Sequence, residues 1–147
     1  MEPVLYRERL LPSISMVFSI VLLCIGAGLI ALPFGQLLAM IIGSSMLLAI
    51  LLLSIALAPT VLLTKKSLRV GKAYIERRYL GSATCIAVAA SFMERGTKLD
   101  SRAFTLFRPG IKTLVKVMIL DENDPTPYWL FASRNAEVLC SLLNQTS

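Results

Sequence analysis

The sequence predicts a membrane α-helical hairpin of two transmembrane helices, followed by a small α+β domain with an antiparallel sheet and a C-terminal helix. The first observation is that residues 10–64 contain no Asp, Glu, Lys, Arg or His. The second is that residues 65–147 have an ordinary mixed composition, sufficient for one compact domain. The whole chain of 147 residues is 56% hydrophobic, which is too apolar for a soluble domain of this size. We therefore divide it into a cytosolic segment 1–9, a transmembrane hairpin 10–64 and a cytosolic domain 65–147.

The uncharged segment is long enough to cross a bilayer twice. About 20 helical residues span the roughly 30 Å of hydrocarbon. Pro12 and Ser13 suit a first helical turn, and the breaker at 33–35 separates spans of about 12–32 and 37–58. Residues 61–63 are expected to prolong the second span to the interface. A cleaved signal peptide is the alternative, but two long apolar runs and a leading segment in which Glu2 and Glu8 accompany the two arginines fit it poorly.

Small residues recur at a spacing of four within both spans. Such steps let helix backbones approach closely in lipid, so they predict a packed hairpin or a homo-oligomer. The pairs are Cys24 with Gly28, Ala27 with Ala31, Ala39 with Gly43, and Ser45 with Ala49.

The distribution of cations predicts the orientation. Cations precede the first span and follow the second, while the turn between the spans has none, so the positive-inside rule places both termini in the cytoplasm. The flanking residues are Arg7, Arg9, Lys65, Lys66, Arg69 and Lys72. A reducing compartment is consistent with free thiols at Cys85 and Cys140.

The remaining chain reads as strands followed by one helix. Gly71-Lys72 predicts a tight hairpin, and Pro109-Gly110 predicts a type II turn between two further strands. The predicted strands are 68–70, 73–75 continuing through 77–80, 84–88, 104–107, 112–120 and 128–132, with a loop or single helical turn at 91–100 that stops at Gly96. Ser133 is expected to cap the closing helix, whose apolar stripe is Val138, Leu139, Leu142 and Leu143.

Several short strings give a resemblance that covers nearly the whole chain. They are Tyr6-Arg7-Glu8-Arg9-Leu10, Leu68-Arg69-Val70-Gly71, Tyr79-Leu80-Gly81, Leu106-Phe107-Arg108-Pro109 and Asp124-Pro125-Thr126-Pro127-Tyr128-Trp129-Leu130. The chain resembles a family of small actinobacterial integral membrane proteins of unknown function. The resemblance implies a multi-pass protein of the bacterial inner (plasma) membrane with a pleckstrin-homology-like cytosolic domain. It departs from the family between residues 82 and 100, and it implies no activity.

A basic run beside the membrane is the first candidate contact site for lipid or a partner. Residues 65–116 carry twelve Lys or Arg against three acids, whereas residues from 117 onward carry one cation against four acids. The run is Lys65, Lys66, Arg69, Lys72, Arg77 and Arg78. One interpretation is that these cations only set the membrane topology and are attracted in a general way to an anionic leaflet. The other is that they dock the domain on specific lipid headgroups.

Three further residues have a functional and a structural interpretation. Arg108 lies at a loop tip, where a guanidinium suits phosphate but is more often simply solvated. Tyr128 and Trp129 follow two prolines and could line a ligand groove. We favour the alternative, in which Pro125 and Pro127 set a turn and Trp129 fills the core of a small sheet.

The composition argues against catalysis. There is no histidine, and we recognise no paired carboxylates, Gly-rich phosphate loop or nucleic-acid-binding motif. We therefore expect no catalytic residue, cofactor, metal site or nucleic-acid partner. The preferred interpretation is a membrane-anchored binding or scaffold module for a membrane protein partner or anionic lipid headgroups. Alternatives are an accessory subunit of an envelope-metabolism enzyme and a small oligomeric transporter or channel.

Overall fold

The chain divides into two compact units in the computed structural model, which describes residues 3–145. The helical unit is Leu11–Ala58, and the sheet unit combines Met1–Leu10 with Pro59–Ser147. The predicted domain begins at residue 65, whereas the sheet unit resumes at Pro59. The sheet unit takes strands from both sides of the helical unit.

Two long apolar helices form the helical unit. They are α1 (Ile14–Ala31) and α2 (Gln36–Ala56), joined by a short 3-10 turn at Leu32–Phe34. The Oγ atom of Ser13 accepts a hydrogen bond of 3.3 Å from the backbone N–H of Met16, which caps α1 as its position before the helix suggests. Both helices are long and apolar enough to cross a membrane.

The two helices approach closely where glycines face each other. A Cβ atom on Gly28 would lie 3.4 Å from the carbonyl oxygen of Ala39, and one on Gly43 would lie 3.4 Å from that of Cys24. Cys24 and Ala39 are buried at this contact. Two of the four predicted small-residue pairs therefore form the helix–helix interface, as close packing in lipid would require.

The first sheet begins with a strand that precedes the helical unit. It contains β1 (Val4–Arg9), β2 (Thr60–Thr64), β3 (Ser67–Val70) and β4 (Ala73–Glu76), all antiparallel and in that order. Arg9 pairs with Thr60, and the backbone N–H of Leu10 donates to the carbonyl of Pro59 at 2.9 Å. The helical unit is thus inserted between two neighbouring strands.

Residues 61–63 do not prolong the second helix as expected. They belong to β2, where Val61 and Leu63 are fully buried. A buried strand is as free of charge as a membrane helix, so the uncharged segment continued through it. The predicted hairpin at Gly71-Lys72 is confirmed, and Gly71 has the positive φ of 61° that the turn requires.

The second sheet contains one parallel pair. Its strands β5 (Leu80–Ile86), β6 (Phe104–Leu106), β7 (Leu114–Ile119) and β8 (Tyr128–Ala132) lie in the order β5-β7-β8-β6, and β6 pairs with β8 in parallel. The predicted type II turn is present, since Gly110 has φ 83° and the N–H of Ile111 donates to Arg108 at 3.1 Å. The turn does not join two strands that pair with each other, because β8 lies between β6 and β7. Every residue of β8 is buried.

Two helices complete the sheet unit. The segment 91–100 was expected to be a loop or a single helical turn that stops at Gly96. The helix there, α3 (Val88–Arg95), ends before Gly96 as predicted but begins earlier, within the predicted strand 84–88. Residues 77–79 form a 3-10 turn rather than a strand. The closing helix is α4 (Ala136–Asn144), and its cap position is Asn135 rather than Ser133. Its buried residues are Ala136, Leu139, Cys140 and Leu143, whereas Val138 is exposed.

Both sheets share one hydrophobic core. Buried side chains of the first sheet, such as Leu63 and Leu68, belong to the same cluster as Leu114, Phe131 and Leu139 from the second sheet and α4. The antiparallel sheets and C-terminal helix predicted from the sequence are confirmed apart from the parallel β6–β8 pair.

Candidate functional site

The strands of the sheet unit run between two ends, which we name by their relation to Pro59. The near end contains Leu10 and Pro59. The backbone N–H of Leu10 donates a hydrogen bond to the carbonyl of Pro59, and the chain enters the helical unit directly after Leu10 and leaves it directly before Pro59. At this end the N–H of Gly71 donates to Thr60 at 2.9 Å, and a Cβ on Gly71 would lie 3.2 Å from Leu106 Cδ1. The far end contains the turn between β2 and β3.

A basic groove lies at the far end. It has a volume of about 420 Å³ and is lined by Lys65, Lys66, Tyr74, Glu76, Arg77 and Arg78. Four cations thus face one acid. Arg78 Nε lies 2.8 Å from Glu76 Oε2, and its guanidinium carbon lies 4.7 Å from the centroid of the Tyr79 ring. Lys65 and Lys66 are exposed, so the groove presents an accessible cationic surface.

Arg77 forms the inner wall of this groove and also holds the fold together. Its Nη2 atom donates to the carbonyl of Leu142 at 2.6 Å, at the C-terminal end of α4, and its Nη1 atom donates to Thr64 at 3.2 Å. A cation suits the negative end of a helix dipole. Burial lowers the pKa of Arg77, but an arginine side chain stays protonated near neutral pH. Substituting it would therefore disturb the fold as well as the groove.

A row of residues on the outer face of the first sheet continues the positive surface. Arg7 pairs with Leu62, Leu62 with Arg69, and Arg69 with Tyr74, so the four residues lie side by side across the strands. Arg7, Arg69 and Tyr74 are exposed. Arg7 was used only to predict the orientation in the membrane. The alternation of exposed Arg7 with partly buried Tyr6 and Glu8 is typical of a strand.

The near end carries a second set of cations. Lys72, Lys112 and Arg134 are exposed, and Arg108, at the start of the type II turn, is half-buried. Lys72 and Arg108 are among the residues predicted from the sequence to contact lipid or a partner, although in separate groups, whereas Lys112 and Arg134 are not among them. The predicted basic run is therefore divided between the two ends of the sheet unit.

Tyr128 and Trp129 lie in the core. The ring centroids of Trp129 and Phe104 are 4.9 Å apart, and the hydroxyl of Tyr128 accepts from the N–H of Asp100 at 2.8 Å. Asp124 Oδ1 accepts from the N–H of Thr126 at 2.9 Å, and its hydrogen bonds with Thr126 lower the pKa of Asp124. These contacts support the interpretation of the segment as a turn followed by a packed strand.

Glu8 joins β1 to the start of α4. Its Oε2 atom accepts from the hydroxyls of Ser133 at 2.6 Å and Tyr6 at 2.7 Å, and its Oε1 atom accepts from the N–H of Arg134 at 2.9 Å. Burial, and secondarily Glu8, raises the pKa of Tyr6. Ser133 was expected to cap the helix, but its hydroxyl is directed to this carboxylate.

Two of the three thiols lie beside each other in the sheet unit. Burial, with the neighbouring Cys85 as a smaller cause, raises the pKa of Cys140 to about 12. Cys85 is exposed and lines a cavity of about 560 Å³ with Thr113, Arg134 and other residues. The buried thiol is therefore protonated and unreactive near neutral pH.

The architecture defined so far is a pair of long apolar helices inserted into a two-sheet domain with a C-terminal helix. Residues 5–143 match the family described as "Protein of unknown function (DUF3093)", and the chain belongs to that family. The match begins in β1 and ends in α4, so it covers both units. No curated protein and no solved structure matches the chain. The predicted membership of a family of unknown function is confirmed.

Proposed function

We propose that this protein is an integral membrane protein whose sheet unit is a binding or scaffold module for a membrane protein partner. The two helices support membrane insertion. Their mean hydropathies are 2.6 and 2.5, and only 17% and 6% of their most apolar windows are buried by the rest of the protein. The core helix of a soluble protein would be mostly covered. Lipid is the environment that suits the exposed faces of these helices.

The pairing of β1 with β2 supports two crossings. β1 precedes the first helix and β2 follows the second, yet Arg9 and Thr60 are paired within one sheet. Both ends of the hairpin must then lie on the same side of the bilayer. Cations flank the hairpin and none lies in its turn, which favours the cytoplasmic side of a bacterial plasma membrane.

The same pairing argues against a cleaved signal sequence. Cleavage after the first helix would remove β1, whose Glu8 accepts a hydrogen bond from Ser133, together with the adjoining Leu10, which is fully buried in the core. The first helix is therefore proposed as a permanent span.

We propose that the sheet unit is related to pleckstrin-homology-like domains. It combines largely antiparallel sheets around one core with a single C-terminal helix. The parallel β6–β8 pair is its departure from an all-antiparallel sheet.

The observation that carries the binding role is the far-end groove. Four cations around one acid and an exposed tyrosine suit an acidic peptide segment, because arginine and lysine bind carboxylates and Tyr74 offers a rigid apolar contact. The groove lies at the opposite end of β2 from Pro59, where the chain enters the helical unit. We therefore propose an acidic segment of a membrane protein partner as its ligand. In this proposal the protein has no catalytic role of its own.

Photo-crosslinking in intact membranes tests the binding role. A photoreactive residue at exposed Tyr74 of the full-length chain is expected to capture a defined protein species. Combined Lys65→Glu and Lys66→Glu reversal should lower that yield about tenfold, since two unfavourable rim contacts correspond to roughly 1.4 kcal/mol. Combined Lys98→Glu and Arg102→Glu reversal is the control and should leave the yield unchanged, because both residues are exposed, lie outside the groove lining and change the net charge equally. Capture of lipid alone, or equal loss in both variants, would contradict a protein ligand at the groove.

A further inference from the structure

We infer that the near end of the sheet unit is a separate contact surface for anionic lipid headgroups, formed by Lys72, Arg108, Lys112 and Arg134. This inference rests on the membrane anchoring proposed above. It concerns the opposite end of the sheet unit from the groove and does not depend on the groove's ligand.

The first two cations are placed at the near end by contacts of their neighbours. Lys72 follows Gly71, whose N–H donates to Thr60 at 2.9 Å, next to Pro59. Arg108 lies two residues beyond Leu106, and Leu106 is the side chain that a Cβ on Gly71 would approach to 3.2 Å. The β3–β4 turn and the type II turn therefore lie beside each other.

Lys112 and Arg134 are placed at the same end by hydrogen bonds between their loops and from one loop to Glu8 of β1. The N–H of Ser133 donates to Thr113 at 3.3 Å, which sets Lys112 and Arg134 on adjoining loops. The N–H of Arg134 donates to Glu8, two residues before Leu10. Three loops far apart in the sequence, which carry the four cations, are thus gathered where the chain enters the helical unit.

The two ends differ in their charge balance. Near-end segments 71–72, 107–113 and 133–135 contain these four cations and no acid, a balance of +4. Far-end segments 64–67, 76–79, 100–102 and 120–127 contain five cations and five acids, a balance of zero. Two acids lie close to the near end. Glu8 already accepts three hydrogen bonds, and Glu137 is exposed on the first turn of α4.

The kind of partner follows from this charge and from the chain connections. Leu10 and Pro59 are peptide-bonded to Leu11 and Ala58, the two ends of the helical unit. In an anchored protein, these residues mark the end of the sheet unit that is continuous in sequence with the membrane-spanning segment. Four cations with two acids beside them keep a net positive charge, so anionic lipids attract this cluster, and the attraction is weakened by salt. At the tip of the type II turn Pro109 and Gly110 are exposed, so the backbone can approach the headgroups.

Hydrogen exchange of the full-length protein in nanodiscs tests this surface. One preparation contains phosphatidylcholine alone, and the other contains about one third phosphatidylglycerol, which supplies an anionic surface. We expect amides of 71–73 and 107–113 to exchange about threefold to tenfold more slowly in the anionic discs, and this protection to weaken at high salt. Amides of the far-end turn at 64–67 should be unaffected.

Charge reversals locate the effect. Combined Lys112→Glu and Arg134→Glu reversal should abolish the lipid-dependent protection, whereas Lys65→Glu with Lys66→Glu, which changes the net charge equally, should retain it. If the near-end pair impairs folding, as judged by Trp129 fluorescence, the Gln versions of both substitutions replace it. Equal protection in both lipids, or equal loss in both reversed pairs, would overturn the near-end surface. A chain that does not incorporate into nanodiscs would instead overturn the membrane anchoring.

Discussion

The helical unit and the sheet unit are built in opposite ways. The helical unit is one continuous segment, closed by its own turn and by the approach of Gly28 to Gly43. The sheet unit is assembled from two segments that the helical unit separates, and it is closed by β1–β2 pairing and by Glu8. Local composition is sufficient to define the first kind of unit. The second exists only through long-range contacts, so it depends on residues far outside its apparent boundary.

Truncation at Lys65 tests whether the sheet unit needs the strands outside its apparent boundary. A chain that begins at Lys65 lacks β1 and β2, and with them the fully buried Leu10, Val61 and Leu63. Loss of three such side chains, at about 2–5 kcal/mol each, is as large as the whole stability of an ordinary domain, about 5–15 kcal/mol. We expect this fragment to show no cooperative urea unfolding when followed by fluorescence of Trp129, the chain's only tryptophan.

The matched control keeps both strands and removes the helices. Because Leu10 N–H donates to the Pro59 carbonyl, residues 11–58 can be replaced by a two-residue Asn-Gly turn that closes β1 and β2 as a hairpin. This shortened chain is expected to unfold cooperatively. If the fragment from Lys65 folds equally well, the sheet unit does not need its first two strands.

The second prediction concerns the hydrogen bonds by which Glu8 links β1 to the start of α4. Glu8→Ala leaves the hydroxyl of buried Ser133 without its carboxylate acceptor and frees β1 from α4. Hydrogen bonds to a charged group contribute about 1.5–3 kcal/mol each, so we expect a loss of about 2–4 kcal/mol in the free energy of unfolding. Urea unfolding of the full-length chain in detergent, followed by Trp129 fluorescence, measures it. Glu8→Gln, which keeps one acceptor oxygen, should lose less. An unchanged midpoint for Glu8→Ala would show that the pairing of β1 does not need this link.

The comparison also explains which features could be predicted from the sequence. Helix boundaries near Pro12 and Pro33 were predicted within about two residues, because uncharged runs and proline breakers are local properties. The hairpin at Gly71 and the turn at Gly110 were predicted for the same reason.

Features that depend on distant pairing were missed. Val61 and Leu63 were assigned to the end of a span, because a buried apolar strand and a membrane helix are equally free of charge. The parallel pairing of β6 with β8 could not be predicted, because the sequence pattern of neither strand indicates the direction of its partner. The separation of near-end from far-end cations was also missed, because a count along the sequence ignores that each successive strand returns to the opposite end.

The third prediction concerns the helical unit alone. Gly28→Leu places a large side chain where a Cβ already lies 3.4 Å from the Ala39 carbonyl, so it should separate the helices and cost about 1–3 kcal/mol. Gly26→Leu is the matched control, since a Cβ at Gly26 meets nothing within 4 Å. Unfolding in increasing SDS, followed by far-UV circular dichroism, is expected to occur earlier for Gly28→Leu only. The urea midpoint reported by Trp129 should stay unchanged in both variants, because the sheet unit has its own core. A shift of that midpoint with Gly28→Leu would mean that the two units are energetically coupled despite their separate construction.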